Sequence, residues 1–259
     1  MIRVIHQFWK MVVIAFLMLV LVLVGNVARL FASGKELRAF QNRLTQRLAR
    51  TGLAVLGIRL EVKGAENWRT DRHYLVVSNH LSYLDVMLFA AFRPMCFVST
   101  VEVHRTPVLG HLARAAGCIF VERRSRDNIR GEIESIAGAL RDGHDMIFFP
   151  EGTSTNGSSV LPFKRPFFAP AIHAGVPVLP AVVQPLAING HAVTSANRDL
   201  LCWYADMEFA PHLWKLAGLR RVRYALKILP EIPVEAGTER EELVQRAQSA
   251  IQETYQPIQ

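Results

Sequence analysis

The sequence predicts an α/β domain with a mixed, largely parallel sheet flanked by helices, preceded by an N-terminal pair of helices, one hydrophobic and one amphipathic. The chain has 259 residues, enough for one large α/β domain with its own core. From residue 58 onwards, short β-branched and aromatic runs alternate with helical runs, which is typical of a sheet covered by helices on both faces. Residues 1–57 instead hold one apolar and one basic amphipathic run. We therefore assign 1–57 to a membrane-anchoring helix pair and 58–259 to the α/β domain.

The first predicted helix contains an apolar segment with no polar residue from Met11 to Val24, which continues to Ala28 past a Gly-Asn pair. At 1.5 Å per residue this segment reaches about 27 Å, just short of the ~30 Å hydrocarbon core of a bilayer. Basic residues such as Lys10 and Arg29 lie on both sides, so charge does not indicate an orientation. The segment either spans the bilayer or lies in one leaflet. A secretory signal peptide is the competing interpretation, but no good cleavage site follows the apolar run.

The second predicted helix runs from Lys35 to Gly57 and has apolar residues at three- and four-residue steps with arginines between them. Alone, this pattern is typical of a helix packed on the domain with a solvated arginine face. Next to an apolar segment, it favours a helix that lies at an anionic lipid surface.

Composition and charge exclude several classes of protein. The net charge of +8 lies entirely in residues 1–63, and residues 64–259 carry none, which indicates a membrane surface and not a nucleic acid as partner. The cysteines, Cys96, Cys118 and Cys202, form neither a CxxC pair nor an even set. The sequence therefore predicts no zinc site and no disulfide framework.

Within the α/β domain, the predicted strands are Ile58–Lys63, Tyr74–Val77, Cys96–Ser99, Ile119–Val121, Met146–Phe149, Val178–Val183, Leu201–Phe209 and Arg223–Leu229. The predicted helices are Leu84–Ala91, Leu109–Ala116, Asn128–Leu140, Phe167–Ala174 and Glu239–Tyr255. The longest predicted loop runs from Gly152 to Lys164, and long loops inside compact domains are often functional.

The first candidate site is the segment Asn79-His80-Leu81-Ser82-Tyr83-Leu84-Asp85, between a predicted strand and a predicted helix. Ser82 and Asp85 have the spacing of a helix capping box, which explains both residues without giving His80 a role. A carboxylate one turn further on can also hold the imidazole in one tautomer, so that its other nitrogen takes a proton from a hydroxyl. Ser82 as a covalent nucleophile is a weaker alternative, because no strained Gly-x-Ser-x-Gly turn surrounds it.

Three further segments carry weaker signals. Phe148–Thr153 ends a strand with Glu151, Gly152 and Thr153, which could bind a polar head group or form an ordinary turn. Gly117–Arg123 begins an arginine-rich stretch that suits a phosphate or a salt-bridged helix face. Val176–Pro180 is a strand entered and left through prolines, and it indicates no chemistry.

In this order, the four segments resemble the motifs of the 1-acylglycerol-3-phosphate acyltransferase family, which esterifies glycerol phosphate and lysophospholipids. The segment from Asn79 to Asp85 matches the NHxSxxD motif, and Gly117–Arg123 matches the glycine-led strand that ends in arginine. Pro150–Thr153 matches the PEGT motif, and Val176–Pro180 matches the proline-rich strand. Residues 186–259 match no motif of the family.

The resemblance implies O-acyl transfer from acyl-CoA or acyl carrier protein to the hydroxyl of a lysolipid acceptor, at an anionic membrane on the cytoplasmic face of the inner membrane. It implies no metal, no resident cofactor and no nucleic acid. His80 would be the general base and Asp85 its orienting partner. The substrate-binding residues that it implies are Asn79, Ser82, Gly117, Arg123, Glu151, Gly152, Thr153 and Lys164.

One position departs from the family pattern. Members with a phosphate acceptor usually have arginine after PEGT, and this chain has Ser154. A lost charge-assisted hydrogen bond costs about 1.5–3 kcal/mol, for which Lys164 or Arg165 could compensate. We expect 1-acyl-sn-glycerol-3-phosphate as the acceptor, with phosphatidic acid as the product. Lyso-ornithine lipid is the alternative, since its acyltransferases resemble the chain around Leu161–Lys164. A serine-dependent lipid or thioester hydrolase is a more distant one.

Overall fold

The structure is a computed structural model that describes residues 2–121 and 129–259. Its helices are α1 (Ile2–Val27), α2 (Gly34–Leu56), α3 (Tyr83–Phe92), α4 (Val101–Arg105), α5 (Pro107–Ala115), α6 (Ile129–Arg141), α7 (Ala169–Ala174), α8 (Phe209–Ala217) and α9 (Arg240–Thr254). Its strands are β1 (Ile58–Lys63), β2 (Leu75–Ser78), β3 (Cys96–Thr100), β4 (Ile119–Val121), β5 (Met146–Phe148), β6 (Val178–Ile188), β7 (His191–Ala192) and β8 (Val222–Ile228).

The strands form one sheet in the order β1-β8-β6-β2-β5-β3-β4, with β7 paired to β6. Strands β2, β3, β4, β5 and β6 run parallel to their neighbours among themselves, and β1 pairs parallel with β8. Within the described residues, the antiparallel pairs all involve β6, which pairs with β8 and so joins the two parallel groups, and which also pairs with β7. The predicted mixed, largely parallel sheet flanked by helices is therefore confirmed.

Alternate residues of the central strands pack on opposite faces of the sheet, as the two-residue period of a strand requires. Val76 of β2 contributes to the core beneath α3, while its neighbours Leu75 and Val77 contribute to the core beneath α6 and α9. Both faces of β2 are buried, which explains its continuous apolar sequence.

The N-terminal helices cover one face of this sheet. The predicted apolar and amphipathic helices are both present, and α1 is long and apolar enough to cross a membrane. One side of α1 packs inward, and the Lys10 ammonium donates to the carbonyls of Leu56 at 3.1 Å and Leu219 at 2.7 Å. The other side exposes a row of large apolar side chains that includes Phe8, Trp9, Val12, Phe16, Leu19 and Leu23. The division of function at residue 57 stays a prediction.

The prediction of a strand at Leu201–Phe209 is wrong. Leu201 and Cys202 instead close a turn by donating to the carbonyl of Arg198, and the Trp203 amide donates to the Leu81 carbonyl. Helix α8 then begins at Phe209, which the sequence analysis did not predict. Short apolar runs do not distinguish a strand from a buried turn or helix by their period alone, so the neighbouring elements decide.

Two other differences concern the lengths of elements. Strand β6 extends to Ile188, beyond the predicted end at Val183, because its pairing with β8 continues past an irregularity at Pro185–Ala187. The predicted helix at Phe167–Ala174 is α7 preceded by a 3₁₀ turn at Arg165–Phe168. The remaining predicted elements in the described residues agree with the structure to within a few residues, and Asn128, the predicted start of α6, lies outside those residues.

Candidate active site

The site lies at the carboxyl edge of the parallel strands. Strands β2 and β5 are parallel neighbours, so the loops that follow them leave the sheet side by side. The loop after β2 carries the segment from Asn79 to Ser82, and the loop after β5 carries Glu151 and Gly152. The topology therefore brings together two motifs that are about seventy residues apart in the sequence.

His80 and Asp85 form a hydrogen-bonded pair, as the sequence predicted. The Nδ1 atom of His80 lies 2.9 Å from Oδ2 of Asp85, whose side chain is fully buried. The imidazole also stacks on the Phe149 ring, with the centroids 4.1 Å apart. The carboxylate favours the tautomer with the proton on Nδ1, which leaves Nε2 as the acceptor. No hydrogen bond to Nε2 is present in the described part of the chain, and 20% of the His80 side chain is exposed.

Ser82 caps helix α3. Its buried hydroxyl accepts a hydrogen bond from the Leu84 amide at 3.4 Å, and Oδ2 of Asp85 accepts from the amides of Leu81 at 2.6 Å and Ser82 at 2.9 Å. These contacts are the predicted capping box. The Ser82 hydroxyl makes no hydrogen bond to His80, so this geometry does not activate it as a nucleophile.

Glu151 is buried, and both of its carboxylate oxygens accept hydrogen bonds from main-chain amides. Its Oε1 accepts from the His80 amide at 2.7 Å and its Oε2 accepts from the Leu161 amide at 2.8 Å. Burial raises the pKa of this carboxyl from 4.5 to about 7, although both backbone amides act in the opposite direction. Both oxygens are occupied by main-chain donors. The geometry therefore supports a positioning role for Glu151 better than the direct acceptor contact that the sequence analysis expected.

Gly152, Thr153 and Lys164 lie together at the start and end of the long loop. Gly152 has a φ of +75°, and a Cβ atom there would come within 2.6 Å of the Lys164 ammonium nitrogen. Position 152 therefore favours glycine for two reasons: the backbone is in the left-handed conformation, and the Lys164 side chain leaves no room for a Cβ atom. Thr153 and Lys164 are exposed, and the Thr155 amide donates to the His80 carbonyl at 2.9 Å.

The remaining predicted site residues lie elsewhere. Asn79 is buried, and its amide exchanges hydrogen bonds with the Val183 backbone, which continues the pairing of β2 and β6. Gly117 precedes β4 at the amino edge of the strands and packs against Gln41 and Asn42 of α2. The structure therefore does not bring Gly117 to His80, because the carboxyl and amino edges are opposite ends of a strand. Arg123 lies outside the described residues.

An aromatic group beside the site was missed by the sequence analysis. The Tyr83 hydroxyl lies 2.9 Å from Nδ1 of His212 on α8, and the Tyr83 ring contacts those of Trp203 and Phe209 edge-on. Burial lowers the pKa of His212. These contacts join the start of α3 to α8. Tyr83 lies within the motif, but only the fold shows that its partners come from residues 203–212.

Residues 2–121 and 129–259 contain no group of three or more His, Cys, Asp or Glu side chains that could hold a metal ion. A reaction without a resident metal or cofactor stays a prediction. The fold and the His80–Asp85 pair define the class of protein: an α/β enzyme with a carboxylate-oriented imidazole at the carboxyl edge of its parallel strands.

Comparison with known proteins identifies the family. The sequence model of the family described as Acyltransferase matches residues 59–184. The chain is 34% identical to the lyso-ornithine lipid O-acyltransferase of Rhodobacter capsulatus, over 80% of this chain and 74% of the relative. It is 32% identical to the 1-acyl-sn-glycerol-3-phosphate acyltransferase of Neisseria meningitidis, over 74% of this chain and 76% of the relative. The chain therefore belongs to the acyltransferase family that contains these glycerolipid and lysolipid enzymes, and the resemblance found in its sequence is confirmed.

A solved structure supports the fold. The crystal structure of the 1-acyl-sn-glycerophosphate acyltransferase from Thermotoga maritima matches with a TM-score of 0.68 and covers 97% of this chain and 95% of its own. Its sequence identity is 22%, so this match bears on the architecture alone. The chain is an acyltransferase of the lysophospholipid or lyso-ornithine lipid type.

Proposed function

We propose that this protein transfers a fatty acyl chain from acyl-CoA or acyl carrier protein to the free hydroxyl of a lysolipid at a membrane surface. The observation that carries the proposal is the His80–Asp85 pair, in which Asp85 fixes the imidazole and leaves Nε2 free at the sheet edge. A general base with this arrangement needs a hydroxyl within hydrogen-bond reach of Nε2. The names of the related enzymes give lyso-ornithine lipid and 1-acyl-sn-glycerol-3-phosphate as acyl acceptors, which supports a lysolipid acceptor here.

In the proposed reaction, Nε2 of His80 takes the proton of the acceptor hydroxyl as its oxygen attacks the thioester carbonyl carbon. The carbon–sulfur bond then breaks, and the thiolate takes the proton from Nε2. The products are an ester and a free thiol, and His80 returns to its starting state. Asp85 stabilises the imidazolium that forms between these steps, because its buried carboxylate is 2.9 Å from Nδ1.

We place 1-acyl-sn-glycerol-3-phosphate first as the acceptor, with phosphatidic acid as the product. Lys164 supports an anionic head group here, since its exposed ammonium lies over Gly152 at the start of the loop. Arg165 is less suited to this role because it pairs with Glu241 of α9 at 2.5 Å.

Lyso-ornithine lipid is the second candidate acceptor. Ser154 provides no guanidinium for a phosphate, and a single ammonium such as that of Lys164 is sufficient for a carboxylate. Relatives from Rhodobacter capsulatus and Pseudomonas aeruginosa that carry this activity in their names are 34% and 35% identical to the chain.

We further propose that the enzyme acts at the cytoplasmic face of the inner membrane, because acyl-CoA and acyl carrier protein are cytoplasmic donors. The exposed apolar side of α1 supports contact with lipid. The excess positive charge of residues 1–63 supports an anionic bilayer as the partner.

An acceptor panel tests the proposal. Purified protein in detergent–lipid micelles is given a labelled acyl-CoA, and in parallel an acyl carrier protein thioester, with lysophosphatidate, lyso-ornithine lipid, other lysophospholipids or no acceptor. We expect ester formation that requires an acceptor and is fastest with lysophosphatidate. Faster turnover of lyso-ornithine lipid would favour the second candidate. Thioester cleavage at the same rate without acceptor would instead indicate a hydrolase and overturn the proposal.

A further inference from the structure

The end of the chain lies along the loop of residues 152–164. We call residues 248–258 the C-terminal strap; they include the end of α9 and the segment that follows it. Oε1 of Gln248 accepts a hydrogen bond from the Phe163 amide at 3.0 Å. The Tyr255 hydroxyl and the Ile258 amide both donate to the carbonyl of Gly157, each at 2.8 Å. The Gln252 side-chain amide also donates to the Val160 carbonyl at 3.4 Å, so the strap contacts the loop at three places, at Gly157, Val160 and Phe163.

The contact between the strap and the loop is closely packed. Gly157 has a φ of +79°, and a Cβ atom there would lie 2.5 Å from Cδ1 of Ile258 and 2.9 Å from the Tyr255 oxygen. Phe163 of the loop is buried in the same apolar cluster as Tyr255 and Ile258. Burial raises the pKa of Tyr255, so its hydroxyl stays protonated and remains a donor to Gly157.

The strap is also fixed to the sheet. The buried side chain of Gln184 on β6 accepts from the Gln256 amide at 2.9 Å and donates to the Gln256 carbonyl at 2.9 Å. The Lys227 ammonium on β8 donates to the carbonyl of Thr254 at 3.0 Å. Because β6 lies inside the sheet between β8 and β2, the strap connects the loop to the interior of the sheet.

We infer that the strap is a positioning element for the acceptor site, with Tyr255 and Gln248 as positioning residues. This inference rests on the proposed function. The inner side of the loop is held at His80 through Glu151 and Thr155. The outer side is held by the strap. The location of Lys164 and Thr153 relative to Nε2 of His80 therefore depends on residues that match no motif of the family. Loss of a strap contact weakens binding of the acceptor and leaves the thioester donor unaffected.

The test compares Michaelis constants for acceptor and donor in four variants of the full chain. Tyr255→Phe removes the hydroxyl and keeps the ring. Gln248→Met has a similar size but lacks the side-chain oxygen that accepts the hydrogen bond from the Phe163 amide. Gln248→Glu keeps an oxygen for the Phe163 amide and serves as the rescue. Tyr204→Phe is the matched control, because it removes a tyrosine hydroxyl that bonds Asp199 outside the loop. The acceptor is whichever of lysophosphatidate and lyso-ornithine lipid the wild type acylates faster.

We expect Tyr255→Phe and Gln248→Met each to raise the acceptor KM about two- to tenfold, the range for one lost hydrogen bond, with an unchanged donor KM. Gln248→Glu and Tyr204→Phe should keep the wild-type values. An unchanged acceptor KM in both disrupting variants would overturn the inference. An equal loss for acceptor and donor together with a lower melting temperature would also overturn it, because that result indicates a general structural role.

Failure of the proposed function has a different signature. A wild type that acylates no lysolipid overturns the proposed function and the role of the strap in acceptor binding with it. A wild type that acylates lysolipid, with Tyr255→Phe and Gln248→Met equal to it in acceptor KM, overturns the strap alone. Hydrogen–deuterium exchange of residues 152–164 is measured on the same samples. Faster exchange in the two disrupting variants than in Tyr204→Phe is the structural result that the inference requires, and equal exchange contradicts it.

Discussion

Oδ2 of Asp85 lies 2.9 Å from Nδ1 of His80 while it accepts the amide hydrogens of Leu81 and Ser82. One buried oxygen therefore caps helix α3 and fixes the imidazole at the same time. The capping and catalytic interpretations of the motif, which compete at the level of sequence, describe the same set of contacts. The contacts that fix the start of the helix therefore also fix the orientation of the His80 ring.

This pair predicts the effect of removing either partner. We expect His80→Ala to lower kcat by about 10²–10⁴-fold, the usual contribution of a general base. Asp85→Asn should lower kcat as well, because the amide can present an N–H to Nδ1 and so favour the wrong tautomer. Steady-state kinetics at saturating acceptor and donor check this, with His191→Ala at an exposed site as the control. A folded His80→Ala enzyme with wild-type kcat would contradict the assignment.

Ser82→Ala separates a cap from a nucleophile. The Ser82 hydroxyl accepts from the Leu84 amide, so its loss should cost about 0.5–2 kcal/mol of unfolding free energy. We expect kcat to stay close to that of the wild type. A covalent nucleophile would instead lose at least about 10⁴-fold in kcat on this change. Thermal unfolding and single-turnover assays on one preparation distinguish the two, and a trapped acyl-enzyme in the wild type would favour the nucleophile.

Lys164 and Arg165 offer a matched pair at the proposed acceptor site. The Lys164 ammonium lies over Gly152, whereas Arg165 pairs with Glu241. We expect Lys164→Met to raise the acceptor KM by roughly 10- to 100-fold, the equivalent of a lost charge-assisted hydrogen bond. Arg165→Met should change it little, since an exposed ion pair contributes about 0–1 kcal/mol. Equal effects of the two changes would indicate a general effect of positive charge and not a contact with the head group.

Glu151 predicts a specific dependence of stability on pH. Its pKa is raised by burial from 4.5 to about 7, so the folded protein holds a proton that the unfolded chain has released over this range. The contribution of Glu151 to the unfolding free energy is therefore fully present below pH 4.5 and is lost as the pH rises to about 7, by at most about 3 kcal/mol. Glu151→Gln should lack this component. Denaturant unfolding of both proteins from pH 4 to 8 checks it, and parallel curves would contradict it.

The exposed apolar side of α1 predicts that charged residues placed on it will weaken binding to a membrane. Leu19 and Leu23 are 53% and 55% exposed and lie one turn apart. We expect Leu19→Asp combined with Leu23→Asp to reduce flotation with anionic liposomes, since each Asp costs about 2.5–3.5 kcal/mol at the centre of a spanning helix. Gln245→Asp combined with Ser249→Asp, at the same spacing on the exposed side of α9, is the control. Equal flotation of both double variants would argue against lipid contact by α1.

Local signals in the sequence were sufficient for the order of most elements and for the pair at the site. Two-residue alternation and β-branched runs predicted strands such as β1 and β4. The spacing from His80 to Asp85 predicted a contact that the cap at the start of α3 positions, because the same Asp85 oxygen accepts from the Leu81 and Ser82 amides. Both features depend on residues near each other in the chain, where the geometry of the backbone leaves few possibilities.

Features that depend on the topology could not be predicted in the same way. Whether Glu151 faces a substrate or two backbone amides depends on how the loop up to Leu161 folds back over it. Gly117 opens the motif that was matched to the family, yet it lies on the amino side of β4 and away from His80. The partners of Gly157 are about a hundred residues away in the sequence, and no local pattern indicates them.

The ammonium of Lys10 is bound by the carbonyl of Leu56 at the end of α2 and by the carbonyl of Leu219 between α8 and β8. This attachment leaves α1 little freedom to slide or rotate independently of the sheet. Any bilayer that takes up the apolar side of α1 consequently sets the height and tilt of the whole molecule above the lipid. A thicker or thinner bilayer would shift the edge that carries His80 together with α1, and with it the depth from which an acceptor hydroxyl reaches the imidazole in the proposed reaction.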